Sequence, residues 1–228
     1  PSAKVRAAIL NAEDGPIYLG PYSEIMEGAV VRGAHAIGAK SRVNIGAKLR
    51  GDTTIGPSCK IGGEVANSVI QGYSNKGHEG YLGNSVLGSW CNLGADTNTS
   101  NLKNNYAPVR IWHYPSERFR NTGTQFCGLI MGDHSKCGIN TMFNTGTVVG
   151  VSANIFGAGY PRNFIPSFSW GGAKGMITYR MNKVLETAAL VMPRKGGELD
   201  EAEKRILAHI FEETANFRVW DKKSVPNS

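Results

Sequence analysis

Residues 19–61 read LGPYSEIMEGAVVRGAHAIGAKSRVNIGAKLRGDTTIGPSCKI, and an aliphatic residue recurs in them at every sixth position. The aliphatic residues of this series are Leu19, Ile25, Val31, Ile37, Val43, Leu49, Ile55 and Ile61. Four positions after each of the first seven stands a residue that is small in nearly every case: Ser23, Ala29, His35, Ser41, Ala47, Thr53 and Cys59. Glycine often follows the aliphatic residue directly, as at Gly20, Gly38, Gly56 and Gly62.

A six-residue period fits neither common regular structure. A helix repeats at about 3.6 residues and a flat strand at about 2, so neither returns a side chain to one side at every sixth position. Three hexads instead form one turn, of about eighteen residues, of a triangular coil whose aliphatic side chains point inward. We expect glycine to let the backbone turn the corners. Each coil adds one strand to each of three parallel sheets, so the sequence predicts an all-β solenoid.

Two further runs extend this pattern towards residue 160. The inward residues are Leu87 and Leu93 in the second run and Met131, Cys137, Phe143, Val149 and Ile155 in the third. Between the runs, residues 98–129 break the period, and their stretch NNYAPVRIWHYPSERFRN is rich in aromatic residues and arginines. A long excursion from a solenoid is usually functional or a contact between subunits.

The C-terminal part has a different pattern. After PRNFIPSFSWGG, helical spacing relates Ile177, Met181, Val184, Leu185, Ala188, Val191 and Met192, and then Ile206, Leu207, Ile210, Phe211 and Phe217. We therefore predict a β-helix over residues 1–165, with a long loop at about 98–129, and a loop with a helical pair over residues 166–228. We expect the helices to cap the open end of the solenoid and hide its edge strands; a direct role in substrate binding is the alternative.

Composition and charge narrow the function classes. The chain has 228 residues with 41% hydrophobic content and no segment apolar enough to span a membrane, so we expect no membrane partner. Its net charge of +7 is scattered, without the signatures of nucleic-acid binding, and suits a small polyanion such as a coenzyme with several phosphates. The four cysteines lack metal-ligand spacing, which indicates buried thiols in a reducing cytoplasm and no metal site.

The segment SNKGHEGYLGNSVLGSWCNLGADTNTSN, residues 74–101, carries the most specific motif. It closely resembles the C-terminal domain of the bifunctional family of sugar-1-phosphate nucleotidyltransferases and amino-sugar-1-phosphate acetyltransferases, which makes UDP-N-acetylglucosamine. The coil pattern extends the resemblance over roughly residues 15–160. It implies a left-handed parallel β-helix, a homotrimer with active sites between neighbouring prisms, and a further N-terminal nucleotidyltransferase domain. The long loop and helical tail resemble sugar nucleotidyltransferases of Bacteroidetes type.

The resemblance gives His78, in GHEGYLG, the role of general base. An amine that attacks an acetyl thioester needs a nearby base that titrates close to neutral pH, and an imidazole is one. A solvated or packed histidine is the alternative for His78. We expect His35 to be structural, because it occupies a small-residue position of the repeat.

The resemblance also assigns residues to substrates. It implies that Arg50 binds the sugar phosphate, that Tyr81 lies in the substrate site, and that Asn92 and Asn101 hydrogen-bond the sugar or acetyl region. Either asparagine could instead turn a coil corner. The third run would face the coenzyme, with Arg162 as its binding residue.

Two departures from the family concern charge. Ala66 stands where family members often carry a lysine that binds phosphate, and Asp96 stands where glycine is usual. A carboxylate near a phosphate repels it unless it is paired. We expect Lys76, as a substrate-binding residue, or Lys103 to compensate.

The sequence therefore predicts an acetyl-CoA-dependent N-acetyltransferase that acts on an amino sugar 1-phosphate. One alternative is a non-catalytic trimerisation or regulatory domain of a nucleotidyltransferase, which Ala66 and Asp96 favour. Another is an acyltransferase with a different acceptor. The identity of the sugar and of the acyl group stays open.

Overall fold

The computed structural model describes residues 2–221, and within them the chain forms short strands and two α-helices. Before the insertion the strands are Lys4–Val5 (β1), Ile9–Asn11 (β2), Ile17–Leu19 (β3), Glu24–Ile25 (β4), Val30–Arg32 (β5), His35–Ile37 (β6), Arg42–Val43 (β7), Lys48–Arg50 (β8), Thr53–Ile55 (β9), Lys60–Ile61 (β10), Glu64–Ala66 (β11), Val69–Ile70 (β12), Asn75–Lys76 (β13), Tyr81–Gly83 (β14), Val86–Leu87 (β15), Asn92–Leu93 (β16) and Asn98–Thr99 (β17). Later strands are Arg110–His113 (β18), Arg118–Asn121 (β19), Ile130–Met131 (β20), Lys136–Cys137 (β21), Met142–Phe143 (β22), Val148–Val149 (β23), Asn154–Ile155 (β24), Phe164–Ile165 (β25), Ser169–Gly172 (β26) and Gly175–Thr178 (β27). The helices are Met181–Val191 (α1) and Glu201–Glu213 (α2).

Every third strand joins the same sheet, which gives the solenoid three faces. The first face has the order β1-β4-β7-β10-β13-β16-β21-β24-β26-β27, the second β2-β5-β8-β11-β14, and the third β3-β6-β9-β12-β15-β20-β23-β25. A parallel pair, β17 and β22, continues the second face, since Thr99 Oγ1 donates to the carbonyl of Tyr81 at 3.3 Å. The predicted solenoid of hexapeptide repeats is confirmed.

The core is a set of inward columns, as the period predicts. Ile25 through Ile61 of the aliphatic series are each at most 2% exposed, and the seven small residues beside them, including His35, are at most 3% exposed. Neighbouring coils stack these side chains, so each coil buries the apolar surface that one repeat leaves open.

The corners are turned differently from our expectation. The residue before five of the seven small residues adopts a left-handed conformation, for example Tyr22 at φ 60° and Gly46 at φ 68°. Before His35 and Thr53 the left-handed residue stands two positions earlier, at Gly33 and Gly51. Gly38, which follows an aliphatic residue, has no positive φ; instead, a Cβ at Gly38 would lie 2.5 Å from the backbone carbon of Gly56. Glycine at these positions is therefore needed for the close approach of successive coils, and the prediction that it turns the corner is wrong.

The coil length changes where the motif begins. Arg42 pairs with Lys60, eighteen residues on, but Lys60 pairs with Asn75, only fifteen residues on. Asn92 then pairs with Lys136, because the insertion lies between them. The insertion contains the antiparallel hairpin β18–β19, and Trp112 in that hairpin stacks on Phe164 of the third face with ring centroids 4.1 Å apart.

The two helices form close to where their spacing predicts them. Ile177, however, belongs to β27 and is 63% exposed, and Phe217 belongs to a 3-10 turn, Ala215–Phe217. Asp200 caps α2, because its Oδ1 accepts from the Glu203 amide at 2.7 Å. Within residues 2–221, neither helix has the length and hydropathy that a membrane span requires.

The helices pack along one lateral corner of the prism, between the third and first faces. Ala188 and Met192 pack on Trp90, which stacks on Tyr73 with ring centroids 4.2 Å apart. Further along the same corner, Phe168 packs with residues of both helices. The expectation that the helices cap the open end is wrong, because these corner residues carry large aromatic side chains that the apolar helix faces bury. At the end of the first face β27 folds back on β26 instead.

Candidate active site

A groove of about 510 Å³ lies at the corner where the first face ends and the chain turns towards the second. Its walls are Arg42, Asn44, Lys60, Asn75, Gly77, His78, Asn92, Leu93, Gly94, Ala95 and Ile139. His78 and Asn92, which the sequence proposes for one site, therefore meet in a single groove.

The shortened coil shapes the loop that carries His78. A Cβ at Gly62 would lie 2.4 Å from the carbonyl oxygen of Gly77, so only glycine there lets the loop lie against the preceding coil. Asn44 Nδ2 donates to the same Gly77 carbonyl at 2.8 Å. The His78 side chain is exposed, so its imidazole is open to a ligand in the groove.

Lys76 lies inside the prism, in an inward column that otherwise holds aliphatic residues such as Ile61, its register partner. It is 1% exposed, and its Nζ donates to the carbonyls of Gly62 at 3.1 Å, Glu79 at 3.2 Å and His78. Burial lowers the pKa of Lys76 to about 8. A buried ammonium needs such partners to offset its lost hydration. Its placement supports a role in holding the His78 loop and gives no support to the predicted contact with substrate.

One wall of the groove is a pair of amides on neighbouring coils. Asn75 Nδ2 donates to Asn92 Oδ1 at 3.3 Å. Asn75 Oδ1 in turn accepts from Lys195 Nζ at 2.7 Å, and the same ammonium donates to the Ser58 carbonyl at 2.8 Å. Asn75 and Lys195 are not among the site residues that the sequence predicts. Asn75 could have been found from its register with Asn92, whereas Lys195 lies in a segment without a repeat.

The cations of the groove differ in their surroundings. Arg42 Nε lies 3.0 Å from Glu24 Oε2, so its charge is partly neutralised. Lys60 is exposed on the next coil. The groove walls contain no carboxylate among the residues that the structure describes, so their charge favours an anionic ligand.

Three other predicted residues lie on the second face, on the far side of the corner from the groove. Tyr81 OH accepts from Asn101 Nδ2 at 3.0 Å, and burial raises the pKa of Tyr81 while the charge of Arg50 opposes that rise. Arg50 itself is bound to Glu64, with 2.6 Å between Nη2 and Oε1. The structure thus separates these three residues from His78 and Asn92 in the groove.

Arg162 lines a different cavity, of about 500 Å³, near the last coil. Aromatic residues of the insertion and of the C-terminal part, Trp112, Phe217 and Trp220, line it together with Lys174. Arg162 follows a first-face strand three coils beyond the strand that precedes His78. At a strand spacing of about 4.8 Å, this corresponds to about 14 Å along the prism.

The two departures from the family have structural settings. Ala66 is buried on the second face and pairs in register with Arg50. Asp96 is exposed at a corner with φ 56°, a conformation that glycine, asparagine and aspartate tolerate best. Asp96 does not line the groove. The left-handed backbone at this corner accounts for an aspartate in place of glycine.

The buried histidines have partners of their own. His35 Nδ1 lies 3.1 Å from the Gly33 carbonyl, which agrees with a structural role. His134 Nε2 lies 2.9 Å from Glu203 Oε1 and ties α2 to the lateral corner. Across residues 2–221 no group of three or more His, Cys, Asp or Glu side chains is arranged to hold a metal ion.

The prism of six-residue repeats and the relatives of the chain indicate a class, the hexapeptide-repeat acetyltransferases, because one relative is named an acetyltransferase. More particularly, the resemblance inferred from residues 74–101 is confirmed, because relatives include a protein named bifunctional protein GlmU from Synechococcus elongatus. It is 28% identical over 178 residues, which cover 75% of this chain and 35% of that protein. The chain thus spans about a third of the length of this relative. The Bacteroidetes-type part of the resemblance stays a prediction.

Two other proteins are similar to this chain. YaiX of Escherichia coli, named an uncharacterized acetyltransferase, is 28% identical over 143 residues, 62% of this chain and 61% of that one. The solved structure of LpxA, a UDP-N-acetylglucosamine acyltransferase from Bacteroides fragilis, is 15% identical with a TM-score of 0.45 and covers 100% of this chain and 89% of its own. No protein-family model matches the chain.

Proposed function

We propose that this chain is an acetyl-CoA-dependent N-acetyltransferase that acts on an amino sugar 1-phosphate. The observation that carries the proposal is the exposed imidazole of His78 at the edge of a groove with amide and cationic walls. The GlmU-like sequence around His78 supports the same chemistry.

In the proposed reaction the amine nitrogen attacks the carbonyl carbon of the thioester. His78 takes the proton that the nitrogen loses, and the C–S bond breaks as the coenzyme thiolate leaves and gains a proton. The requirement on His78 is geometric, because a general base must come within hydrogen-bond reach of the proton that it removes. The exposed side chain of His78, on a loop held by Lys76 and Asn44, supports this role because a ligand in the groove can approach it.

The sugar phosphate has two candidate partners. Arg50 is the residue implied by the resemblance, although Glu64 already neutralises it. Lys60, in the groove with His78, is the second. A lysine is a usual phosphate ligand as a point charge.

For the acyl donor we assign Arg162, with Lys174 beside it, to the phosphate-bearing part of the coenzyme. Two cations and a set of aromatic rings suit a polyanion that carries a flat base.

We also propose a homotrimer in the cytoplasm. The free cysteines Cys59, Cys91 and Cys137 are buried, which suits a reducing compartment.

The experiment is a coenzyme-release assay with acetyl-CoA and a panel of amino sugars. We expect release with glucosamine 1-phosphate and much less with glucosamine, the matched acceptor that lacks the phosphate. Release that is equally fast with both would contradict an amino sugar phosphate as acceptor, and no release with any amine would contradict the transferase.

A non-catalytic trimerisation or regulatory domain is the second candidate. It is favoured by the neutral side chain at Ala66 and by the engagement of Arg50 with Glu64, which together weaken the second face as a phosphate site. Calorimetry with acetyl-CoA separates the two candidates, because a scaffold gives no heat of binding while its melting temperature shows that it is folded.

A further inference from the structure

The C-terminal extension reaches the wall of the groove. Packing of Ala188 and Met192 on Trp90 fixes the end of α1 against the prism, and a 3-10 turn, Met192–Lys195, follows directly. This turn delivers Lys195 Nζ to 2.7 Å from Asn75 Oδ1 and 2.8 Å from the Ser58 carbonyl. The contact joins residues 120 positions apart in the chain.

The contact sets the direction of a hydrogen-bond chain. An ammonium is a donor only, so Asn75 has to present its carbonyl oxygen to Lys195. The NH₂ of Asn75 then faces Asn92 and donates to Asn92 Oδ1 at 3.3 Å. Asn92 Nδ2 has no partner among the described residues, and Asn92 lines the groove.

We propose that Lys195 is a positioning residue that fixes the orientation of the Asn75 and Asn92 amides, so that the groove offers the Asn92 NH₂ to an acceptor oxygen of the ligand. Without an ammonium at this place, either amide could turn over and present its oxygen instead. In a fraction of the protein molecules, an amide oxygen of the groove would then face the ligand oxygen. The claim about ligand binding rests on the proposed function; the claim about amide orientation does not.

The surroundings of Lys195 are consistent with this role. It is half-buried, and burial lowers its pKa to about 8, with Lys60 acting in the same direction and Cys59 against it. A neighbouring cation of the same turn, Arg194, is exposed. It therefore provides a matched control for loss of one positive charge.

The test compares Lys195→Met, Lys195→Arg and Arg194→Met with the wild type. The first readout is the side-chain amide NMR signals of Asn75 and Asn92, assigned by their loss in Asn75→Ala and Asn92→Ala. We expect Lys195→Met to shift both signals and to speed exchange of the Asn75 NH₂ protons, and Lys195→Arg and Arg194→Met to retain the wild-type pattern.

The second readout is the KM for the amino sugar phosphate and kcat. We expect Lys195→Met to lose about tenfold in kcat/KM, the value of one hydrogen bond, with Lys195→Arg within about threefold of wild type. If Lys195→Met does not fold, Asn75→Ala tests the same chain, because it too releases Asn92. Unchanged Asn92 signals in Lys195→Met or Asn75→Ala overturn the inference. Shifted Asn92 signals in a protein without transferase activity would contradict only the proposed function and would leave the inference about amide orientation in place.

Discussion

Lys76 Nζ donates to the backbone carbonyl of His78 from inside the prism. The lysine occupies an inward position that an aliphatic residue fills in the neighbouring coils, and the histidine is exposed on the loop outside. The candidate base is thus held by a buried charge two residues away in sequence. A buried ammonium needs carbonyl acceptors, and the loop that carries His78 supplies two of them.

The first prediction concerns Lys76→Met, which fills the inward position without a charge. We expect kcat/KM to fall about tenfold or more because the His78 loop loses its anchor, while the free energy of unfolding changes by less than about 2 kcal/mol, since loss of a buried charge offsets loss of its hydrogen bonds. Kinetics and denaturant unfolding measure the two effects. Wild-type activity in a folded Lys76→Met protein would contradict the anchoring role.

The second prediction follows from the lowered pKa of Lys76, about 8 against an ordinary 10.5. Between these values the unfolded chain binds more protons than the folded chain, so the free energy of unfolding rises with pH over this window. Below pH 8 the lysine is charged in both states and the cost of burying it remains in full. We expect Lys76 to contribute up to about 3 kcal/mol of this rise.

Unfolding at pH 8 and pH 10.5 measures this contribution. Lys195 and Lys136 titrate in the same direction, whereas Cys59, Cys91 and Cys137, whose pKa values burial raises, titrate in the opposite sense. The test is therefore the difference between the two proteins: the free energy of unfolding should rise less with pH in Lys76→Met than in the wild type, and an identical slope would argue against a buried charge at this position.

The third prediction separates the two kinds of glycine in the coil. Gly38→Ala would put a Cβ 2.5 Å from the backbone of Gly56. In Gly46→Ala the added Cβ has no atom within 4 Å, and the only cost is the strain of an alanine at positive φ. We expect the first substitution to cost more than about 2 kcal/mol and the second about 1 kcal/mol. Equal losses of stability would show that the coils can move apart at Gly38.

The fourth prediction decides which cation holds the sugar phosphate. If Arg50 does so, Arg50→Met raises the KM for the acceptor, and Glu64→Gln lowers it by a few fold because Glu64 no longer competes for the guanidinium. If Lys60 does so, Lys60→Met raises the KM and Glu64→Gln leaves it unchanged. Arg32→Met, on an exposed ion pair of the same face as Arg50, is the control.

Much of the prism could be predicted from its period. The columns from Ile25 to Ile61 are readable because every inward position of these coils holds an aliphatic residue at a constant spacing of six. Lys76 was not readable as an inward residue, because it follows its register partner Ile61 by fifteen residues and the six-residue count fails there. Its charge then pointed to a surface role that the structure does not give it.

The placement of the helices was predictable only in part. The apolar stripe of each helix shows that the helix packs against another part of the protein. An end of the prism and a lateral corner would bury these stripes equally well. The distinguishing signal was the large aromatic residues at corner positions, Tyr73, Trp90 and Phe168, which a solvent-exposed corner would not favour. Of the groove, the sequence predicted His78 and Asn92. The role of Lys195 was not predictable, because it depends on a contact with Asn75, a residue 120 positions away in the chain.

The central claim is that His78 takes the proton from the attacking amine. The most direct measurement is the single-turnover rate of acetyl transfer from acetyl-CoA to glucosamine 1-phosphate in the wild type, in His78→Gln, and in His209→Gln, which changes an exposed histidine of α2. We expect His78→Gln to lower the rate about 100-fold or more while acetyl-CoA still binds, and His209→Gln to leave it unchanged. A His78→Gln protein that transfers acetyl groups at the wild-type rate would contradict the account.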